Sequence, residues 1–360
     1  MKTAIYSPYL DTFGGGEKYM MTIAEVLSSK GSVDVLLDLH LYLMGYDFLK
    51  TNLTKRFNLD LTNVNFIKAP IGVGSDIIGR FLFLKKYDLL FCLTDGSIFY
   101  PSAKKNFLHI QSPLIGQPAK SILGKIKLFG WDLIIYNSKF TKSYSEKNWP
   151  QKSEIIYPPV DTRKIKPLKK QKYILSVGRF FGYLKSKKHG LLIKAFKSLY
   201  RDSKFKDWSL ILVGSASQGD LSYLEELKDL AKNIPVIFYP NLDYDNLIKL
   251  YGEASIYWHA AGFEEVDPTK MEHFGISVVE AMSGGAVPVV IEKGGLPEIV
   301  TDKKSGYLWQ TEKQLKELTA KLAINSRLLQ KMSREAIVSA KSFSKENFAK
   351  KILNLTNLEK

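Results

Sequence analysis

EHFGISVVEAMSGG, residues 272–285, is the stretch from which the rest of the chain can be put in order. An apolar block from Ile276 to Met282 lies between Gly275 and the pair Gly284-Gly285, the pattern of a short buried helix opened and closed by glycine. A helix that starts at Gly275 aims unbonded backbone N–H groups, those of Ile276 and Ser277 included, at whatever lies ahead of it. Such an end suits an anion, most naturally a phosphate. Glu272 precedes the helix and Glu280 lies inside it, eight positions on. A carboxylate only accepts hydrogen bonds, so the pair suits the hydroxyls of a sugar or a ribose. Phosphate at the helix tip and hydroxyls to either side describe a sugar nucleotide.

Widened to residues 258–300, the segment reads WHAAGFEEVDPTKMEHFGISVVEAMSGGAVPVVIEKGGLPEIV. The two glutamates with seven residues between them, the HFGI inside that interval, the trailing EAM-x-x-G and the later GG-x-PEIV resemble the signature region of glycosyltransferase family 4. Members of that family are retaining enzymes with the two-domain GT-B fold. The resemblance implies an α/β chain of two Rossmann-like, doubly wound domains facing each other across a cleft. It places an acceptor-binding domain at 1–161, a nucleotide-sugar-binding domain at 173–340 and a helix returning to the first domain at 341–360, and the Pro- and Lys-rich TRKIKPLKKQK (162–172) reads as a solvated linker between the domains.

Size and composition agree with such an arrangement. A chain of 360 residues with 45% apolar and 12% aromatic content is globular material, long enough for two cores. No apolar run reaches the length of a membrane span, and MKTAIYSPYLD lacks the apolar core of a signal peptide. The single cysteine, Cys92, excludes an internal disulfide and a cysteine-based zinc site. With Leu89, Leu90 and Phe91 before it, it reads as a buried strand thiol in a cytoplasmic protein. Net charge is +16, and fifteen Lys or Arg fall between residues 163 and 206. Such charge attracts phosphorylated molecules, anionic membrane or nucleic acid. No recognition-helix pattern, RNA-binding aromatic motif or basic tail accompanies it, so no nucleic-acid partner is expected.

In chain order, TAIYSP (3–8) reads as a first strand, followed by DTFGGGEKYMMTIAEVLSSKG, three glycines opening an amphipathic helix. The dinucleotide fingerprint G-x-G-x-x-G is absent and no acidic ribose clamp follows. The resemblance instead puts Gly15 and Gly16 in a loop facing the donor diphosphate. Strand-like VDVLLDL, NFIKAP, DLLFCLTD, NFLHIQSP and DLIIYNS then alternate with helical stretches, the signature of a parallel, doubly wound sheet. Where family members often carry an acceptor-side histidine before an S/T-P step, this chain has Gln111, with His109 two residues earlier on the same strand face. Either could touch the acceptor, and only His109 could exchange a proton near neutral pH. AKSILGKIKLFGW (119–131) interleaves Lys120, Lys125 and Lys127 with large apolar residues, a pattern suited to peripheral contact at the inner face of an anionic membrane or to an ordinary helix with a solvated lysine face.

The second half opens with the strand YILSVGR. The resemblance assigns Arg179, with Lys187 or the adjacent Lys188, to the donor diphosphate. Fixed cations there stabilise the charge that builds as the glycosidic bond breaks. It also assigns Gly214 to a strand end beside the donor, Tyr239–Asn241 to the base, Glu280 to the ribose and Glu272 to the transferred sugar, and brings Gly294 and Gly295 near the donor. Asp243-Tyr244-Asp245 has the D-x-D spacing of a metal site but opens a helix, where acids cap. No metal and no resident cofactor are therefore expected. The implied activity is retaining transfer of a hexose from a GDP-mannose or UDP-glucose type donor to a glycan, lipid-linked or small-molecule hydroxyl. The alternatives are a basic, non-catalytic nucleotide- or nucleic-acid-binding protein, and a related GT-B epimerase or phosphorylase.

Overall fold

The computed structural model describes residues 1–116 and 121–356. Lys120 of the basic stretch and residues 357–360 of the expected returning helix lie outside the described residues. The chain divides into two compact units, Met1–Pro159 with Glu346–Lys360, and Val160–Lys345.

The first unit contains β1 (Lys2–Tyr6), α1 (Gly15–Ser28), β2 (Ser32–Leu37), α2 (Leu39–Leu43), α3 (Tyr46–Phe57), β3 (Val64–Lys68), α4 (Ile77–Leu84), β4 (Leu89–Thr94), β5 (Lys105–Ile110), α5 (Ile122–Phe129), β6 (Leu133–Tyr136), α6 (Lys139–Ser145) and β7 (Ser153–Ile155). Its seven strands are all parallel, in the order β3-β2-β1-β4-β5-β6-β7. Successive strand residues point to opposite faces. Ile5, Val35, Phe91 and Ile135 join one buried cluster with α1 and α3, whereas Ala4, Leu36, Leu90 and Ile134 join another with Leu84 of α4 and Leu128 of α5. Both faces are covered, which is why a strand such as LLFCLT is buried along its whole length and apolar from Leu89 to Leu93.

The second unit contains β8 (Gln171–Val177), α7 (His189–Leu199), β9 (Ser209–Gly214), α8 (Leu221–Leu230), β10 (Val236–Pro240), α9 (Tyr244–Glu253), β11 (Ala254–His259), α10 (Ile276–Ser283), β12 (Val287–Ile291), β13 (Tyr307–Trp309), α11 (Glu312–Ile324) and α12 (Ser326–Ala340). Six parallel strands run in the order β10-β9-β8-β11-β12-β13. Strand order reverses between β1 and β4 in one unit and between β8 and β11 in the other. The carboxyl ends of the strands at such a reversal are where doubly wound sheets hold ligands. The last helix, α13 (Lys345–Leu355), packs on the first unit: Phe348 and Ile352 are buried there, and Phe348 meets Tyr19 edge-on at 4.9 Å.

Residues 162–172, expected as a linker, belong instead to the second unit and are packed on it. Ile165 is buried, and Leu168 N–H donates to the Gly252 carbonyl. Lys170 Nζ donates to the carbonyls of Gly252 at 2.7 Å and Gly284 at 2.5 Å, at the carboxyl ends of α9 and α10. Burial lowers this amine to a pKa of about 8. Lysines that looked like solvated tether thus include a cation that caps two helix ends, where the helix dipole favours positive charge.

Candidate active site

The second unit brings most of the expected donor residues together at its switch point. β8 and β9 end so close together that a Cβ on Gly214 would lie 1.9 Å from the Gly178 carbonyl oxygen. A Cβ on Gly178 would lie 2.7 Å from Lys187 Cγ, so the bare glycine lets the lysine stem cross the strand end. Lys187 Nζ then reaches Glu272 Oε2 at 2.5 Å. His259, the last residue of β11, meets the same oxygen through Nε2 at 2.9 Å. Because an ionised carboxylate only accepts, Nε2 carries the proton and donates. Burial lowers the His259 pKa against the pull of Glu272, which keeps the ring neutral near pH 7. Burial by itself would raise Glu272, but Lys187 and His259 together hold it well below the ordinary carboxylate range.

The helix behind this cluster starts as its glycine implies. Gly275 has φ 112°, a left-handed conformation that side chains resist, and a Cβ there would press to 2.7 Å from Leu296. Within α10 the hydrogen bonds begin with Val278 N–H donating to the Gly275 carbonyl, which places the Ile276 and Ser277 amides at the exposed dipole end. Tyr257 on β11 donates to Ser277 Oγ at 2.8 Å, and its oxygen lies 3.4 Å from the Val177 amide, so it ties the end of β8 to the start of α10. Glu280 is buried, and its Oε2 accepts from the fully buried Tyr251 hydroxyl at 2.9 Å. Gly295 N–H donates to the Glu272 carbonyl at 2.8 Å. The Gly294-Gly295 turn therefore braces the backbone that presents Glu272.

The remaining donor residues are placed around this centre. Lys188 pairs with Glu265 at 2.6 Å, which separates the two adjacent lysines: Lys187 serves Glu272, and Lys188 the loop before it. Arg179 follows β8 and is exposed, its guanidinium 6.0 Å from the Phe181 ring centroid. The side chains bonded to Glu272 are Lys187 and His259; the Arg179 charge adds a small share to the effect of the Ser217 hydroxyl and the Gly182 and Ser217 amides, which hold the Asp220 carboxyl low. Asn241 has φ 55° and turns its side chain back on residue 216, Oδ1 accepting from the Ala216 amide at 3.0 Å and Nδ2 donating to its carbonyl at 2.9 Å. Its amide donates to the Gly214 carbonyl, so Asn241 shapes the turn with all three groups. Asp243 Oδ1 accepts from the Asn246 amide at 2.9 Å and caps α9.

His259, Tyr251, Tyr257 and Glu265 were not singled out by sequence reasoning. A histidine closing the strand ASIYWH, at the strand end beside the switch point, was a usable signal for the first. The tyrosines meet their partners only through tertiary packing between α9, α10 and β11, which spacing does not encode.

The first unit gives a different result. His109 is buried and stacked on Tyr19 at 3.9 Å with the rings 9° from parallel. Its Nδ1 lies 3.0 Å from the Ile135 carbonyl and so carries the proton, while Nε2 is buried without a partner. Burial drops its pKa to about 3. The expectation that His109 could exchange a proton near neutral pH is therefore corrected: it is a neutral core ring. Alternation along β5 did put it on the α1 side, but one step too deep. Gln111 reaches the surface instead, its amide packed on the Gly16 backbone so closely that a Cβ there would lie 2.0 Å from Oε1. Gly15 and Gly16 open α1, where Glu17 Oε2 accepts from the Gly14 amide and the Thr12 hydroxyl, both at 2.9 Å.

Fold and site together define a two-unit α/β protein whose second sheet sets Lys187, Glu272 and His259 together at its switch point, in the segment that leads into α10. The chain belongs to the glycosyl transferases group 1 family, whose model matches residues 160–339. It is 27% identical over 243 residues to GDP-Man:Man(3)GlcNAc(2)-PP-Dol alpha-1,2-mannosyltransferase of Dictyostelium discoideum, covering 61% of this chain and 46% of that protein. The Mus musculus protein of the same name is 25% identical over 312 residues, covering 75% and 61%. The chain thus spans about half the length of the curated relatives it matches. Among solved structures, a glycosyltransferase from Rickettsia africae ESF-5 superposes with a TM-score of 0.75 at 17% identity, over 98% of this chain and 97% of that one. Anabaena Alr3699/HepE in complex with UDP and glucose gives 0.69 at 16% identity, over 99% of each. Both likenesses establish the GT-B fold.

Proposed function

We propose that the chain transfers a hexose from a nucleoside-diphosphate sugar to a hydroxyl acceptor, with retention at the anomeric carbon and without a metal ion. The observation that carries this reading is the Lys187–Glu272–His259 cluster set against the amino end of α10. The diphosphate would take the α10 amides and the Lys187 ammonium. Glu272, released from the lysine but still held by His259, would turn its carboxylate to the sugar hydroxyls, and Glu280 would accept from the ribose. As the anomeric C–O bond breaks, its electron pair passes to the diphosphate, whose new charge Lys187 stabilises more than that of the intact donor. The acceptor oxygen bonds the anomeric carbon from the same face and gives its proton to the departing phosphate oxygen. Arg179 would join the diphosphate by swinging from Phe181. Within the first unit, Gln111, packed on the Gly16 backbone, replaces His109 as the candidate acceptor-side polar group.

A GDP-mannose donor and a lipid-linked sugar acceptor are the specific pairing favoured by the named relatives. Metal independence is supported by the use of Asp243 as a helix cap. No helix among the described residues is long and apolar enough to cross a membrane. We place the protein in the cytoplasm, touching the anionic inner face of a membrane peripherally. Thermal-shift screening against GDP, UDP and their sugars tests the donor, since a ligand of the folded state raises the melting temperature. Proton NMR of the product then reads the anomeric configuration, with and without EDTA. Retention unaffected by chelation is expected; an inverted product, or transfer abolished by EDTA, would contradict the corresponding part.

A further inference from the structure

One cation of the second unit stands apart from the candidate active site. Lys170 is the residue before β8, one of the two strands between which the order reverses. Gln171 is in register with Ala254, so β8 begins beside the junction of α9 and β11. α9 and α10 lead into β11 and β12, which are parallel neighbours, so both helices end along this edge of the sheet. A side chain leaving the start of β8 is therefore in reach of both carboxyl ends. Lys170 uses that reach: its Nζ donates to the Gly252 carbonyl at 2.7 Å and to the Gly284 carbonyl at 2.5 Å.

Two helix ends side by side bring partial negative charges together, which repel unless a cation lies between them. The backbones at this point touch. A Cβ on Gly284 would lie 2.4 Å from the Tyr251 carbonyl oxygen, and one on Gly252 would lie 2.6 Å from that of Lys166. The Gly252 carbonyl also accepts from the Leu168 amide, and Tyr173 on β8 donates to the Leu250 carbonyl at 2.7 Å. Those bonds tie α9 to the start of β8, and the ammonium adds α10. Immediately beside the tie, Tyr251 donates to Glu280, one turn before Gly284, at 2.9 Å. That contact lasts only while the two helix ends keep their spacing.

We propose that Lys170 is a positioning residue, whose ammonium bolts α9 to α10 and so fixes the Tyr251–Glu280 pair for the ribose without touching the nucleotide. This rests on the reading that Glu280 accepts from the ribose. The amides offered to the diphosphate lie at the other end of α10, about 12 Å away for eight residues of helix. Lys187 stands on a separate loop, before α7. Loss of the bolt should therefore weaken recognition of the ribose and spare that of the phosphates.

The test is isothermal titration of GDP and UDP, their dideoxyribose counterparts and inorganic pyrophosphate into wild type, Lys170→Met and Glu280→Ala. Wild type should bind the preferred ribonucleotide at least about tenfold more tightly than its dideoxy form, the worth of a hydrogen bond to a charged group. Lys170→Met should cut that ratio to about threefold or less. Its affinities for the dideoxy form and for pyrophosphate should match the wild type, which also shows that it is folded. Lys170→Gln keeps a donor without the charge; it should show a smaller cut, and it carries the test if Lys170→Met does not fold. A wild-type ratio in the Lys170 variants, beside a lost ratio in Glu280→Ala, would overturn this proposal alone. Equal weakening of all three ligands would overturn it too, leaving Lys170 a general support of the fold. An unchanged ratio in Glu280→Ala would refute the ribose reading, and this proposal with it.

Discussion

The carboxyl ends of the two sheets are finished in opposite ways. In the second unit, Lys187, Glu272 and His259 form a charged cluster beside a helix dipole, with carboxylate and ammonium 2.5 Å apart. In the first, the histidine nearest the equivalent edge is neutral, stacked on Tyr19 and sealed in the core, and an uncharged amide, Gln111, meets the Gly16 backbone. Group transfer needs charge stabilisation at the leaving group. If the departing phosphate accepts the proton itself, the other edge needs shape and hydrogen bonds rather than a titrating base. On the proposed reading the charge that group transfer needs is concentrated in the second unit.

The sharpest way to break that contrast is to remove charge from one side and the histidine from the other. Glu272→Ala should lower transfer by about a hundredfold or more, as loss of a transition-state contact does, measured as kcat with the preferred donor; a rate near wild type would refute the assignment. His109→Phe should leave the pH–rate profile unmoved. It should lower stability by about 1–3 kcal/mol, because the Ile135 carbonyl loses its donor inside the core. Denaturant melts read the stability, and a missing ionisation in the profile would restore His109 to the chemistry.

Acid titration sharpens the contrast further. Glu272 has a folded pKa well below the ordinary 4.5, so in the interval between the two values the unfolded chain binds a proton that the folded chain does not. The stability Glu272 contributes is fully present above about pH 4.5 and lost as pH falls through the folded value. Urea melts of wild type and Glu272→Gln should therefore converge toward acid pH; a constant difference would contradict the pairing. The smallest effect concerns Lys188. Glu265→Gln frees this lysine and should tighten nucleoside-diphosphate binding by about two- to fivefold at low salt, the worth of a partly exposed pair, fading as salt is added. Weaker binding would instead give Glu265 a direct ligand contact.

Much of this was legible in the residues. The alternation of apolar runs with helical stretches gave two parallel sheets, and EHFGISVVEAMSGG gave the helix, its glycine start and both carboxylates. What escaped was set by depth and by distant neighbours. Alternation says which side of a strand His109 faces but not how far along it the core extends. The lysine-rich 162–172 looked like a tether because composition does not reveal that Lys170 reaches two carbonyl ends more than eighty residues away in sequence. Lys187 and Lys188 were indistinguishable as neighbours until the bare Gly178 routed one of them across the strand end to Glu272.

The central claim is that the ammonium now paired with Glu272 is the one that grips the donor diphosphate. Isothermal titration of GDP and UDP into wild type and Lys187→Ala addresses it without any need for an acceptor. The account predicts that the preferred nucleotide binds at least about thirtyfold more weakly to Lys187→Ala, the scale for stripping one partner from a buried charged contact. Equal affinity in the two proteins would contradict it.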